Sequence, residues 1–120
     1  MQRSRLLIVI VVVVVFVAAG AFIALRGIGG AGKNVTFNLS VNGTTMSPDN
    51  PTVSQNDTVT MTITADKKEE IHLHGYDIPF EVPGPGQSVT HTFKADKSGS
   101  FDMEIEETSK QVGTFTVNPR

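Results

Sequence analysis

The chain has 120 residues, 39% of them hydrophobic, with 12 acidic residues, 10 basic residues and no cysteine. The missing cysteine excludes disulfides, thiolate metal sites, thiol nucleophiles and cysteine-linked lipid. From Gly27 onward 12 acidic residues stand against 7 basic ones, a net charge of −5, which leaves no clustered basic surface for nucleic-acid phosphates.

Residues 1–5 form a short N-terminus with Arg3 and Arg5, and residues 6–25 read LLIVIVVVVVFVAAGAFIAL without a charge. A 20-residue helix is roughly 30 Å long, the thickness of the bilayer hydrocarbon. A lone strand would leave its backbone unpaired in lipid, so the valine-rich run is predicted to be a transmembrane helix. Two arginines before the span and only Arg26 after it place the N-terminus in the cytoplasm and the remainder outside, periplasmic or extracellular. A cleaved signal peptide with Ala19-Gly20-Ala21 as its cleavage site is the rival reading. The apolar core exceeds the usual signal length of about 7–15 residues, which favours a retained single-pass anchor.

Residues 26–33 form a glycine-rich linker, with Gly27, Gly29, Gly30 and Gly32 among them. Its root-mean-square reach is roughly 14 Å, short enough to keep the rest of the chain near the membrane. The remaining region, 34–120, suits one small domain. Its hydrophobic period is two. Val35, Phe37, Leu39 and Val41 alternate with polar residues, and Val59, Met61 and Ile63 alternate with threonines, as in half-buried strands. Residues 43–51, with Pro48, Asp49, Asn50 and Pro51, read as turn. Strands follow at 71–76 and 78–82, then the Pro83-Gly84-Pro85-Gly86 turn, then Val89, His91 and Phe93 on one face. After a turn at Ser98-Gly99 come Phe101, Met103 and Ile105, and Phe115 and Val117 close the chain. About seven short strands without any sustained helical stripe predict an all-β, antiparallel sandwich.

Asn34, Asn38, Asn42 and Asn56 each open a glycan-acceptor triplet, relevant only where exported proteins are glycosylated. No Gly-x-Ser-x-Gly elbow and no phosphate-cradling glycine loop occur, so nothing here predicts an enzyme.

The chemically suggestive stretch is Glu70-Ile71-His72-Leu73-His74-Gly75-Tyr76-Asp77. On a strand, His72 and His74 share a face, roughly 6–7 Å apart at 3.3 Å per residue. Two imidazoles so placed can reach one metal ion, and Cu(II) is the divalent ion they would hold most tightly. A solvated strand face is the competing reading of a bare His-x-His pair.

From Ile71 to Pro119 the chain resembles the C-terminal half of a cupredoxin. The likeness is greatest to the domains of nitrous-oxide reductase, cytochrome oxidase subunit two and bacterial iron-uptake proteins. The motifs are His74-Gly75-Tyr76, the Pro85-Gly86 turn, the passage from Phe93 through Ala95-Asp96 and Gly99 to Phe101, and the closing run Gly113-Thr114-Phe115-Thr116-Val117. The resemblance implies a cupredoxin-like Greek-key β-sandwich with His74 as a copper ligand. It also implies ligands where this chain has Met103, Glu106 and Gln111 in place of cysteine, histidine and the axial residue. Blue-copper and dinuclear electron transfer both need thiolate, so neither is available here.

The set expected at the metal corner is therefore His74, His72, Met103, Glu106 and Gln111, a mixture of imidazole, thioether and carboxylate that tolerates both copper oxidation states. Against it, Met103 falls on the inward face between Phe101 and Ile105, a core position. Glu106 belongs to an acidic edge with Asp102, Glu104 and Glu107. His91 shares its face with Val89 and Phe93 and reads as a core histidine. Two functions fit: copper binding and handling at the membrane with a metal donor or acceptor, or a metal-free cupredoxin-like interaction module serving a membrane-protein complex.

Overall fold

The computed structural model describes residues 32–120. The membrane-span expectation for 6–25 and most of the linker lie outside them. Among the described residues no helix is long and apolar enough to cross a membrane.

Nine strands are present among the described residues: β1 (Asn34–Asn42), β2 (Thr45–Ser47), β3 (Thr52–Ser54), β4 (Thr58–Ala65), β5 (Glu69–Leu73), β6 (Ile78–Val82), β7 (Ser88–Lys94), β8 (Gly99–Ile105) and β9 (Lys110–Asn118). They form a four-stranded sheet, β2-β1-β4-β7, and a five-stranded sheet, β3-β9-β8-β5-β6. The chain changes sheet after β2, β3, β4, β6 and β7, so most neighbours are non-consecutive.

Alternation explains the packing. In β4 every second residue, Val59, Met61, Ile63 and Ala65, is buried, and the threonines between them are half-exposed. In β5, Glu69, Ile71 and Leu73 face inward while Glu70 and His72 face outward. The largest enclosed side chains, Phe80 and Phe115, sit in the core between the sheets with Met103, Leu39 and Met61. Fully burying such a side chain stabilises the fold by about 1.5–3 kcal/mol, and this core is what holds a domain without disulfides together.

Three features depart from expectation. The sandwich is mixed: β1 runs parallel to β4 and β3 runs parallel to β9. An excursion through β3 in the opposite sheet separates β1 from β4, and that crossing lets them run the same way. The turn-rich stretch 43–51 also contains β2, which pairs with β1 through Val41 and Met46. The strand expected over 71–76 stops at Leu73, and residues 74–77 form a turn.

That turn is built by two left-handed residues. Gly75 has φ +82°, and a Cβ there would collide with the Phe101 ring. Only glycine satisfies both demands. Tyr76 follows, its ring 4.9 Å from Phe101 and 5.4 Å from Phe93. Its hydroxyl donates to the Lys97 carbonyl at 2.6 Å and accepts from the Lys97 backbone N–H at 3.0 Å, while Lys97 Nζ donates to the Gly75 carbonyl at 2.8 Å. Burial pushes the Tyr76 phenol above its ordinary pKa. The His-Gly-Tyr motif is thereby bolted to the Phe93–Phe101 passage.

A candidate metal centre on the outer sheet face

The histidines stand on the outer face of the five-stranded sheet. Register places His72 opposite Glu104 on β8 and opposite Pro79 on β6. His74 begins the turn, its backbone N–H donating to the Asp102 carbonyl at 3.0 Å. The two imidazole centroids are 4.7 Å apart, and the rings are inclined at 48°.

Carboxylates surround them. His72 Nδ1 lies 3.5 Å from Glu70 Oε2 and 3.9 Å from Glu106 Oε2. His72 Nε2 lies 3.0 Å from Asp77 Oδ1, and His74 Nε2 lies 3.3 Å from Glu104 Oε1. Asp77 has φ +54°, a conformation that aspartate tolerates better than most residues. This second left-handed residue brings the carboxylate back to His72. Glu106 is fixed by its backbone N–H donating to the Glu70 carbonyl at 2.9 Å. Glu107 accepts from the Glu70 backbone N–H at 3.3 Å.

The shortest contact of His72 is from Nε2 to Asp77 Oδ1, while Nδ1 is within hydrogen-bond distance of Glu70 and also faces Glu106. Were Nδ1 to bind a metal, Asp77 would stand behind the ring, where a carboxylate orients a ligating imidazole. One ligand atom each from Glu70, His72 and Glu106 lies within 4.8 Å of the other two. Two donors bound at 2.0–2.2 Å to one ion stand at most about 4.4 Å apart, and both His72 contacts fall inside that limit. One neutral imidazole and two carboxylates carry charge −2, matched to a divalent cation. With the side chains of Glu70, His72 and Glu106 exposed to 25%, 19% and 54%, the group reaches solvent chiefly through Glu106.

Of the expected ligands, His72 and Glu106 come together, and His74 stands beside them against Glu104. Met103 does not join. Register sets it beside Leu73 on the inner face, where it is fully enclosed in the core. The alternation that turns His72 outward turns Met103 inward. Gln111 takes other partners, its amide donating to Asp102 Oδ1 at 3.2 Å and to Thr114 Oγ1 at 3.1 Å. His91 is half-buried and packs edge-on against Phe80 with centroids 4.9 Å apart. Glu70, Glu104 and Asp77 were missed by sequence reasoning. The first two carried a signal, since Glu70-x-His72-x-His74 and Glu104-x-Glu106 share strand parity; Asp77 carried none.

One neighbouring group has a different character. Glu69 points inward at the start of β5, is 4% exposed, and neither carboxylate oxygen has a hydrogen-bond partner among the described residues. Desolvation raises its pKa, with Asp66 and Glu107 adding to the rise and Lys67 opposing it.

Comparison of the sequence with known protein families and with curated proteins finds no match. Solved structures do match. A blue copper oxidase from Nitrosomonas europaea is 19% identical with a TM-score of 0.61, over 73% of this chain and 40% of that one. The metal-binding domain of the Cu(I)-exporting P-type ATPase of Streptococcus pneumoniae, solved with Cu(I), is 12% identical with a TM-score of 0.59, over 73% of this chain and 98% of that domain. A chain of a heme-copper terminal oxidase dimer is 13% identical with a TM-score of 0.59, over 98% of this chain and 99% of that one. The present chain thus spans about two fifths of the blue copper oxidase. With its two sheets, their strand order and these neighbours together, the described domain has the cupredoxin-like fold, here without a cysteine.

Proposed function

We propose that this protein is a membrane-anchored, extracytoplasmic copper-binding domain that holds a divalent copper ion on its outer sheet face and hands it on. Binding, not catalysis or electron transfer, is the activity. The observation that carries the reading is the convergence of Glu70, His72 and Glu106, with Asp77 at the other nitrogen of the ring. The donor types fit copper: imidazole and carboxylate suit Cu(II), which tops the divalent affinity series. Copper also appears in the names of the structural neighbours, and one of them is a chain of a heme-copper terminal oxidase. The anchor rests on the uncharged 6–25 segment. When bound, copper would supply a Lewis-acidic, redox-active centre. The chain's own part is to orient His72 through Asp77 and to balance the ion's charge with Glu70 and Glu106.

Calorimetric titration of the full chain in detergent at neutral pH tests this. One Cu(II) should bind per chain, and His72→Ala should abolish the binding. Absence of copper heat from the parent chain would leave the interaction-module reading in its place.

A further inference from the structure

Resting on that reading of the site, the donor chemistry says something about its release. Every donor gathered at the outer face is nitrogen or oxygen. The chain has no cysteine, and Met46, Met61 and Met103 are enclosed in the core, each at most 1% exposed. Among the described residues no sulfur atom is therefore available to an ion at this face. The thioether expected at Met103 would have made the site tolerant of both copper oxidation states. Its removal to the core leaves a hard to borderline donor set.

We infer that the site is selective for oxidation state: it retains Cu(II) and gives up the ion when a one-electron reductant converts it to Cu(I). Soft, closed-shell Cu(I) prefers thiolate and thioether, whereas carboxylate favours the harder, doubly charged ion. Reduction also halves the charge facing Glu70 and Glu106, so the pair is left with an excess negative charge and the electrostatic attraction falls. One electron passes from the reductant to the metal, the coordinate bonds to Nδ1 and the carboxylate oxygens break, and their lone pairs return to solvent. The Glu106 side chain is 54% exposed, which gives the ion a route to solvent. The receiver that fits such a donor is a site with sulfur ligands.

The test starts from the full chain in detergent, loaded with Cu(II) and freed of excess metal on a desalting column. One half is reduced anaerobically with ascorbate in buffer containing acetonitrile as a weak Cu(I) carrier. Both halves are desalted again, and copper is measured against protein. The untreated half should keep its copper and the reduced half should lose nearly all of it. Copper retained in both halves overturns the inference and leaves the proposed site standing. Copper lost from both halves sinks the site itself, and the inference with it. Glu106→Met exchanges a carboxylate donor of the site for a thioether and should convert the chain to one that keeps copper through reduction. Release from that variant as complete as from the parent would show that donor type does not govern retention, and would overturn the inference as well.

Discussion

The two sheets show similar apolar inner faces to each other and quite different outer faces to solvent. On the four-stranded sheet most outward residues of β4 and β7 are hydroxyls that pair with one another: Thr60 with Thr92 at 3.2 Å, Thr62 with Thr90 at 2.7 Å and Thr64 with Ser88 at 2.7 Å. Apart from Lys94 at the end of β7, the strands of that sheet carry no formal charge outward, and these hydroxyls are paired with one another. On the five-stranded sheet the corresponding positions hold Glu70, His72, Glu104 and, just past β8, Glu106, with Asp77 alongside. Packing constrains only the inward residues of each strand, so the outward ones are free to differ. One face pairs its hydroxyls with one another; the other concentrates negative charge around two imidazoles.

Four substitutions would break or sharpen that contrast. Gly75→Ala should have the largest effect, destabilising the domain by about 2–4 kcal/mol because a left-handed residue gains a Cβ against the Phe101 ring. Chemical denaturation measures it, and a parent-like midpoint would mean that the turn is less constrained than its geometry indicates. Asp77→Ala should weaken Cu(II) binding by about 10–100-fold, the usual effect of losing a carboxylate behind a ligating imidazole. It should also lower the denaturation midpoint slightly, because alanine tolerates the left-handed conformation at this position less well than aspartate does.

Glu69→Gln comes next, and its signature is a slope. Burial raises the Glu69 pKa in the folded chain, so folding favours the protonated carboxyl. Its contribution is intact below the unfolded carboxylate pKa and is lost as pH rises through the higher folded value. The parent should therefore lose stability over that rise, and the glutamine variant should lose less of it. Removing this buried, unpaired charge should stabilise the domain by on the order of 1 kcal/mol and raise the neutral-pH melting midpoint by about 4–8 °C. Smallest is Thr62→Val on the hydroxyl-bearing face. Loss of one exchangeable hydroxyl pair should alter stability by about 1 kcal/mol or less and leave copper affinity untouched. A change in affinity there would show that the two faces are coupled.

Much of this was legible in the residues. The period-two runs around Leu39, Met61 and Phe101 located the long strands, because one-sided burial writes itself into alternation. Three-residue β2 and β3 are too short to show a period, and the Pro48–Pro51 stretch around them reads as turn. The parallel pairings were hidden for another reason: which strand lies beside β1 is settled by long-range packing, and no local pattern records it. At the site, alternation correctly put His72 and His74 on one face. The same alternation placed Met103 inside, while its position in the cupredoxin resemblance suggested a ligand, and the alternation prevailed. Asp77 was beyond reach, since a left-handed aspartate looks like any loop aspartate until its φ is known.

The parallel pairing of β3 with β9 has one further consequence. Thr52 to Ser54 pair with Thr116 to Asn118, and β1 lies against β4 across an intervening crossover, so few of these contacts can form as local hairpins. Chains dominated by such distant contacts fold slowly, typically in milliseconds to seconds. An edge of the larger sheet stays incomplete until the closing strand has been synthesised. Under the proposed extracytoplasmic role, a nascent copy would remain an open chain through most of its passage out of the cell, in the state an export channel can thread, and acquire its cation-facing surface only on arrival.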